Sequence, residues 1–430
     1  MKATIPTEQP IERAILVAAP PKELSPAEGH EHLEELARLT DTAGADVVSR
    51  LQQRLDSPHP KLYIGEGKAA ELRELVEETR ATLVIFDDEL SPAQGKNLED
   101  ALKTRIMDRA ELILDIFATR ARSSEAQMQV ELAQLQYMLP RLKRMWTHLT
   151  RGGGIGFRGP GETQLETDRR IIGRRIAELR RKLQTVAQRR ATQRKGRADE
   201  FRAALVGYTN AGKSSVMRGL SGADVFIEDR LFATLDPATR AVELEPGARV
   251  LLTDTVGFIR KLPHHLVASF RATLEEVVDA DLLVHVVDAA HPGWPEQVQV
   301  VDEVLADLGV GRRPQLLAFN KVDQLTHSEE ESLEARVGAH FEQPAVLCST
   351  VEPNGLDSLR AALLGQVRAQ RPELRVSIPM HDGEALAAVY REGEVLARTE
   401  RNSRIELRAR LPVAAIGRLR GRAGVEIEGA

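Results

Sequence analysis

Gly207-Tyr-Thr-Asn-Ala-Gly212-Lys213-Ser214 is the stretch on which the fold turns. It has the form G-x-x-x-x-G-K-[ST]. It follows the apolar run Ala203-Ala-Leu-Val206 and precedes Ser215-Val-Met-Arg-Gly-Leu220, which reads as a helix start. Strand, loop and helix in that order make a phosphate-binding loop. Gly207 and Gly212 let the backbone curl, so that N–H groups along Tyr208, Thr209, Asn210 and Ala211 face phosphate oxygens. The helix N-terminus adds its dipole. Lys213 supplies positive charge for β- and γ-phosphates, Ser214 offers a hydroxyl to Mg²⁺, and Ser215 follows in the first turn.

Downstream residues select the nucleotide. Asp254-Thr255-Val256-Gly257 ends the apolar run Val250-Leu-Leu-Thr253. An Asp at that strand end can hold the outer Mg²⁺ shell, and Gly257 can give its N–H to a γ-phosphate. Asn320-Lys321-Val322-Asp323 follows a further strand, Gln315–Phe319. A carboxylate at Asp323 accepts from guanine N1–H and the 2-amino group. Adenine has neither donor and leaves the carboxylate unpaired, so Asp323 points to GTP. Thr234, within Leu231-Phe232-Ala233-Thr234-Leu235-Asp236-Pro237, has the place of a switch threonine that reaches Mg²⁺ when the γ-phosphate orders its loop. Lys213, Thr234 and Gly257 are the expected catalytic residues, and Ser214, Thr234 and the outer-shell Asp254 the expected Mg²⁺ set. Cys348-Ser349-Thr350 stands where a base-flanking Ser-Ala is usual, with Thr350 in place of the alanine. Phe258 follows Gly257 where many GTPases have a water-orienting glutamine, and phenylalanine cannot orient water by hydrogen bonding. Slow intrinsic hydrolysis raised by a partner is therefore expected.

Further out, residues 12–122 alternate strands and helices. Arg13–Ala19 and Ala81–Phe86 read as strands and Ala69–Glu78 as a helix, which predicts a small, mostly parallel α/β domain. In residues 123–197, Met128, Leu132, Leu135, Leu139, Leu142, Trp146 and Leu149 form a heptad stripe. Leu165, Ile172, Ile176, Leu179, Leu183 and Val186 form a second. Between them, residues 151–161 hold six glycines and a proline, which cannot continue a helix. The reading is an antiparallel helical hairpin with a glycine-rich tip, in which Pro140 kinks the first helix or starts its second half. Residues 198–370 make the P-loop domain, and residues 371–430 a small α+β module with strands near 375–378, 395–398 and 404–408.

Composition agrees with an ordinary globular chain: 430 residues, 42% apolar and 29% charged. No apolar run approaches the roughly 18 residues of a membrane span, and no signal peptide is expected from residues 1–10, which have no apolar core. The single cysteine, Cys348, rules out an internal disulfide. A cytoplasmic protein without integral membrane association is expected. The net charge of −5 hides an asymmetry: residues 140–197 carry seventeen Lys/Arg against four acids, a net +13, leaving −18 for the rest. A concentrated basic segment in an acidic protein predicts one docking place for a polyanion.

The order P-loop, threonine loop, D-x-x-G and N-K-x-D resembles that of ribosome-associated GTPases. Gly159-Pro-Gly-Glu-Thr-Gln-Leu-Glu-Thr-Asp-Arg170 resembles the signature of the HflX family, as do Phe86–Pro92, Glu131–Leu135 and Phe232–Asp236. The resemblance spans almost the whole chain. It implies a bacterial cytosolic GTPase that binds the large ribosomal subunit and its RNA, splits or rescues stalled ribosomes and helps under heat or other stress. The hydrophobic Phe258 is shared with the family. In this reading Arg151, Phe157, Arg158, Arg169, Arg170, Arg174 and Arg175 are the RNA-contact candidates. No DNA partner is expected, and the hairpin favours a monomer. The resemblance also implies ATP or RNA binding by the N-terminal domain, where Tyr63-Ile-Gly-Glu-Gly-Lys68 is a candidate phosphate grip. Other readings are a GTP-dependent large-subunit assembly factor, an ATP-dependent RNA-remodelling enzyme and a non-hydrolysing coiled-coil adaptor.

Overall fold

A computed structural model describes residues 11–146, 160–195, 200–222, 228, 230–246, 248–263, 274–401 and 403–429. The chain divides into two compact units. The first holds residues 1–186 with the short segments 230–232 and 261–271; the second holds residues 187–229, 233–260 and 272–430.

In the first unit, four parallel strands stand in the order β2-β1-β3-β4: β1 Arg13–Ala18, β2 Asp46–Gln52, β3 Leu83–Phe86 and β4 Arg105–Asp108. β1 and β3 are buried along nearly their whole length, so they read as continuous apolar runs. Helices α1 Pro26–Ala43, α2 Glu66–Thr79, α3 Pro92–Leu102 and α4 Arg109–Arg120 connect and follow the strands. Two of them begin with a capping box and a proline in the first turn, at Ser25-Pro26 and Ser91-Pro92, which fixes where the chain leaves the sheet. Strand β2 carries little sequence signal, because all its residues but Leu51 are only partly buried or exposed and it lacks a long apolar run.

The heptad stripes meet as predicted. α5 Ser124–Trp146 and α6 Pro160–Lys195 share a cluster of Leu132, Ile176 and Leu179, flanked by Met128, Leu135, Leu139, Ile172 and Leu183. Full burial of each such side chain contributes about 1.5–3 kcal/mol. α5 runs through Pro140 as one helix rather than restarting there. Arg175 spans the pair, with Nε and Nη2 donating to the two Glu131 oxygens at 2.6 and 2.8 Å.

The second unit has a six-stranded sheet in the order β10-β9-β8-β5-β7-β6. β5 Phe201–Gly207, β7 Ala248–Asp254, β8 Leu282–Asp288, β9 Gln315–Asn320 and β10 Ala345–Leu347 are parallel; β6 Ala238–Glu245 joins antiparallel to β7. Its core packs the inner strands against α7 Lys213–Ser221 and the later helix Asp357–Gln370. The last residues form a separate antiparallel sheet, order β12-β13-β11-β14, from β11 Glu373–Pro379, β12 Glu394–Arg401, β13 Arg404–Arg410 and β14 Glu426–Gly429. With helices Gly383–Glu392 and Val413–Arg420 the order is β-α-β-β-α-β, a ferredoxin-like arrangement. The expected α+β module is thus present, with β14 and its preceding helix in addition. Among the described residues, no helix is long and apolar enough to cross a membrane.

Candidate nucleotide site

β5 ends at Gly207 with φ +147°, and a Cβ there would meet Val286 O at 2.2 Å. Gly212, at φ +95°, would place a Cβ 2.2 Å from Asn320 Nδ2. Both glycines are therefore required by conformation and by space. Between them Asn210 takes a left-handed conformation, and helix α7 begins at Lys213. This is the strand–loop–helix that the motif predicts.

Lys213 is buried, and its Nζ donates to Gly207 O at 3.2 Å and Tyr208 O at 2.8 Å. An ammonium has three donors, so one is left for a ligand. Asp254, fully buried, accepts from Ser214 Oγ at 2.6 Å and Thr234 Oγ1 at 3.1 Å through Oδ2. Its Oδ1 is buried with no hydrogen-bond partner among the described residues. Burial pushes the Lys213 ammonium down to about 8. It also lifts the Asp254 carboxyl above the usual carboxylate range, against the opposing pull of Ser214, Lys213 and Thr234. Both charges are short of solvation, and a ligand that is anionic at Lys213 and cationic at Asp254 relieves both. A metal–nucleotide has that pattern. Ser214 Oγ and Thr234 Oγ1 are 2.8 Å apart, and neighbouring ligands of an octahedral Mg²⁺ bonded at 2.0–2.1 Å lie about 2.9 Å apart. The hydroxyl pair and the carboxylate thus fit Mg²⁺. Among the described residues no cluster of three or more His, Cys, Asp or Glu offers a competing metal site.

The base end is equally ordered. Asn320 Nδ2 donates to Ala211 O at 3.0 Å, tying the N-K-x-D loop to the phosphate loop. Lys321, left-handed at φ +68°, donates from Nζ to Asp288 Oδ2 at 2.6 Å. Asp323 Oδ1 accepts from Ser349 Oγ at 2.6 Å, which orients the carboxylate and leaves Oδ2 for a base. Val322 opens a single 3-10 turn. Cys348 is a buried thiol, pushed up to about 12 by burial, and Thr350 beside Ser349 is half-buried. Cys348 therefore packs rather than reacts.

Between the two ends lie the remaining expected residues. Thr255 Oγ1 donates to Leu205 O at 2.6 Å inside the sheet, and Val256 is buried. Leu235 is buried, while Ala233, Asp236 and Ser215 are half-buried. Two expectations change. Phe232, expected at the nucleotide, belongs to the first unit, where its buried ring meets Phe117 edge-on at 4.7 Å. Its side chain serves packing. The Tyr208 hydroxyl accepts from the Arg260 N–H at 2.9 Å, so its side chain holds the segment after Gly257. Asp288, and the backbone N–H of residue 260, carry roles that residue spacing does not show. Asp288 ends the apolar run Leu282–Val287, and that place at a strand end was the one signal in the sequence.

Of the RNA candidates, Arg169, Arg170 and Arg174 stand exposed on α6. Arg175 differs: it is committed to Glu131 and, at 3.2 Å, to Glu178. Arg151, Phe157 and Arg158 lie outside the described residues. In the first unit, Lys68 Nζ pairs with Glu71 at 2.8 Å and the Gly65 N–H donates to Gln53 Oε1 at 2.9 Å. The groups of the candidate ATP grip are thus engaged within the protein. Asp87 and Asp88, at the end of β3, pair with Lys261 of the same unit, and Asp87 also with the buried Arg109.

Known proteins share this organisation. Three family descriptions match in series: "GTP-binding GTPase N-terminal" over residues 30–118, "GTP-binding GTPase Middle Region" over 120–197 and "50S ribosome-binding GTPase" over 202–321. The chain is 43% identical to GTPase HflX of Magnetococcus marinus over 429 residues, 98% of each chain. It is 42% identical to GTPase HflX of Escherichia coli over 395 residues, 90% of this chain and 92% of the other. Among solved structures it is similar to a GTP-binding protein from Sulfolobus solfataricus in complex with GDP, at 25% identity and TM-score 0.44, covering 83% of this chain and 99% of that one.

Proposed function

The chain belongs to the HflX family of GTPases, and from that premise we propose that it binds the large ribosomal subunit in its GTP form, splits or rescues stalled ribosomes, and leaves on hydrolysis. GTP is its substrate. The observation that carries the reading is the buried Lys213 and Asp254 pair with the Ser214–Thr234 hydroxyl edge, a site completed by a metal–triphosphate. Ser214 and Thr234 hold Mg²⁺ there, with Asp254 Oδ2 accepting from both. Bound Mg²⁺ supplies charge neutralisation for the transferring phosphoryl group. Lys213 holds the β- and γ-phosphates, Asp323 the guanine, and Lys321 and Ser349 fix that loop.

Because Thr234 contributes only while its loop is closed on the site, GTP and GDP forms differ at this loop. The ribosomal partner is supported by the family description matching 202–321 and by the basic helix α6, whose Arg169, Arg170 and Arg174 face solvent. RNA phosphates are the matching ligand. Domain limits at 122, 197 and 370 are supported by the three matched family ranges and by the sheet that begins at Glu373. A monomeric, cytoplasmic protein completes the reading.

Light scattering of intact ribosomes tests it. With the protein and a non-hydrolysable GTP analogue, scattering falls as subunits part; with GDP or a Ser214→Ala protein it holds. Unchanged scattering with the analogue, at concentrations where the protein co-sediments with ribosomes, overturns the splitting step.

A further inference from the structure

Phe258 leaves the GTPase without the side chain that usually orients the attacking water, and its ring is 1% exposed in the core. What fixes the segment after Gly257 is its backbone. The Phe258 N–H donates to Gly207 O at 3.1 Å, and the Thr209 N–H donates to Phe258 O at 2.7 Å. This reciprocal pair makes Tyr208 and Phe258 a parallel β-bridge. A third bond comes from Tyr208, whose hydroxyl accepts from the Arg260 N–H at 2.9 Å. The Tyr208 ring is 5% exposed, so the hydroxyl is delivered from a fixed position.

The result is a close approach at Gly257. A Cβ there would lie 2.6 Å from Thr209 Cα and 2.9 Å from Lys213 Nζ. The Gly257 backbone is pressed against the phosphate loop, beside the ammonium that meets the β- and γ-phosphates. We propose that Tyr208 is a positioning residue for GTP hydrolysis, its hydroxyl locking residues 257–260 onto the phosphate loop in place of a water-orienting side chain. In the reaction water attacks the γ-phosphorus, the bond to the β–γ bridging oxygen breaks, and a water proton ends on inorganic phosphate. Tyr208 takes no part in those transfers. It holds the backbone that lines the water's approach, and any displacement there misaligns the in-line geometry.

The test is GTP turnover by the purified full-length chain carrying Tyr208→Phe, which keeps the ring and removes only the acceptor. The kcat falls about 3- to 10-fold, the effect of one hydrogen bond on a barrier. The KM for GTP, the GDP affinity and the melting temperature stay at wild-type values. The Arg260 amide exchanges with deuterium faster, which reports the missing bond directly. Arg260→Ala keeps the N–H and holds kcat within about twofold. An unchanged kcat in Tyr208→Phe overturns the proposal. So does a fall in kcat matched by changes in KM and melting temperature, which marks a purely structural role, or an equal fall in Arg260→Ala, which moves the effect to the arginine side chain.

Discussion

Ser214 Oγ and Thr234 Oγ1 lie 2.8 Å apart, and both donate to the same oxygen of Asp254. Ser214 is in the first turn of a helix and Thr234 in a loop twenty residues on, so their meeting closes that loop on the phosphate site. The closed loop gives a γ-phosphate something to stabilise: in the proposed site Thr234 would reach the metal only in that arrangement.

Thr234→Ala is therefore expected to weaken binding of a non-hydrolysable GTP analogue about tenfold while sparing GDP, because the missing ligand acts only in the triphosphate form. Ser214→Ala is expected to weaken both nucleotides and raise the Mg²⁺ concentration needed. Titration of a fluorescent GTP analogue and of GDP against Mg²⁺ separates the two. Equal losses for GTP and GDP in Thr234→Ala contradict the assignment.

The buried Lys213 sets a pH dependence. Its ammonium is lowered from 10.5 to about 8 in the nucleotide-free protein. Phosphates favour the charged form. Below pH 8 it binds nucleotide already protonated; above pH 8 it must take up a proton to do so. Affinity for GDP should fall by up to about tenfold per pH unit above 8. The linked stability runs the other way. The unfolded chain holds this proton more tightly, so the contribution of Lys213 to nucleotide-free stability rises from pH 8 towards 10.5. Isothermal titration of GDP at pH 7, 8 and 9 checks the affinity arm. Lys213→Arg, charged throughout, serves as the flat control.

In the proposed site Asp323 would select guanine, with Ser349 holding one of its oxygens and the other left for the base. GTP should outbind ITP, which lacks the 2-amino donor, by roughly 3- to 30-fold. Asp323→Ala should lower GTP affinity and abolish that difference. Competition of GTP and ITP against a fluorescent GDP reads both. A preserved preference in Asp323→Ala contradicts the role.

On α6, charge and packing separate. Leu179 is fully buried against α5, and Leu179→Ala should cost about 2–4 kcal/mol in denaturant unfolding. Replacing the exposed Arg169, Arg170 and Arg174 by alanine should leave stability alone. It should flatten the salt dependence of large-subunit binding, by roughly 0.7–0.9 in the log–log slope for each RNA phosphate no longer neutralised. Arg175→Ala, already paired with Glu131 and Glu178, should change that slope less.

Much of this was legible in the residues. Gly207 and Asp254 end largely buried strands, and Gly212, Lys213 and Asp323 follow such strands within a few residues, so motif and strand point to the same place. The two heptad stripes were legible because Leu132 on α5, and Ile176 and Leu179 on α6, fall on apolar positions that recur every three or four residues along each helix. β6 was harder: Val242 and Leu244 alternate with exposed residues at a sheet edge, too short a pattern to stand out. The Phe232 ring, the Arg175–Glu131 bridge and the Tyr208 hydroxyl depend on which distant residue lies opposite. Local spacing carries no such information: Phe117 is 115 residues from Phe232, and Arg260 is 52 from Tyr208.

We propose that this GTPase is governed by the large ribosomal subunit through one basic helix. The most direct test is GTP and ATP turnover by the purified protein, with and without purified large subunits, at two salt concentrations. GTP-specific turnover should rise strongly with subunits and lose that stimulation at the higher salt. Turnover that subunits do not raise, or ATP turnover equal to GTP turnover, would contradict it.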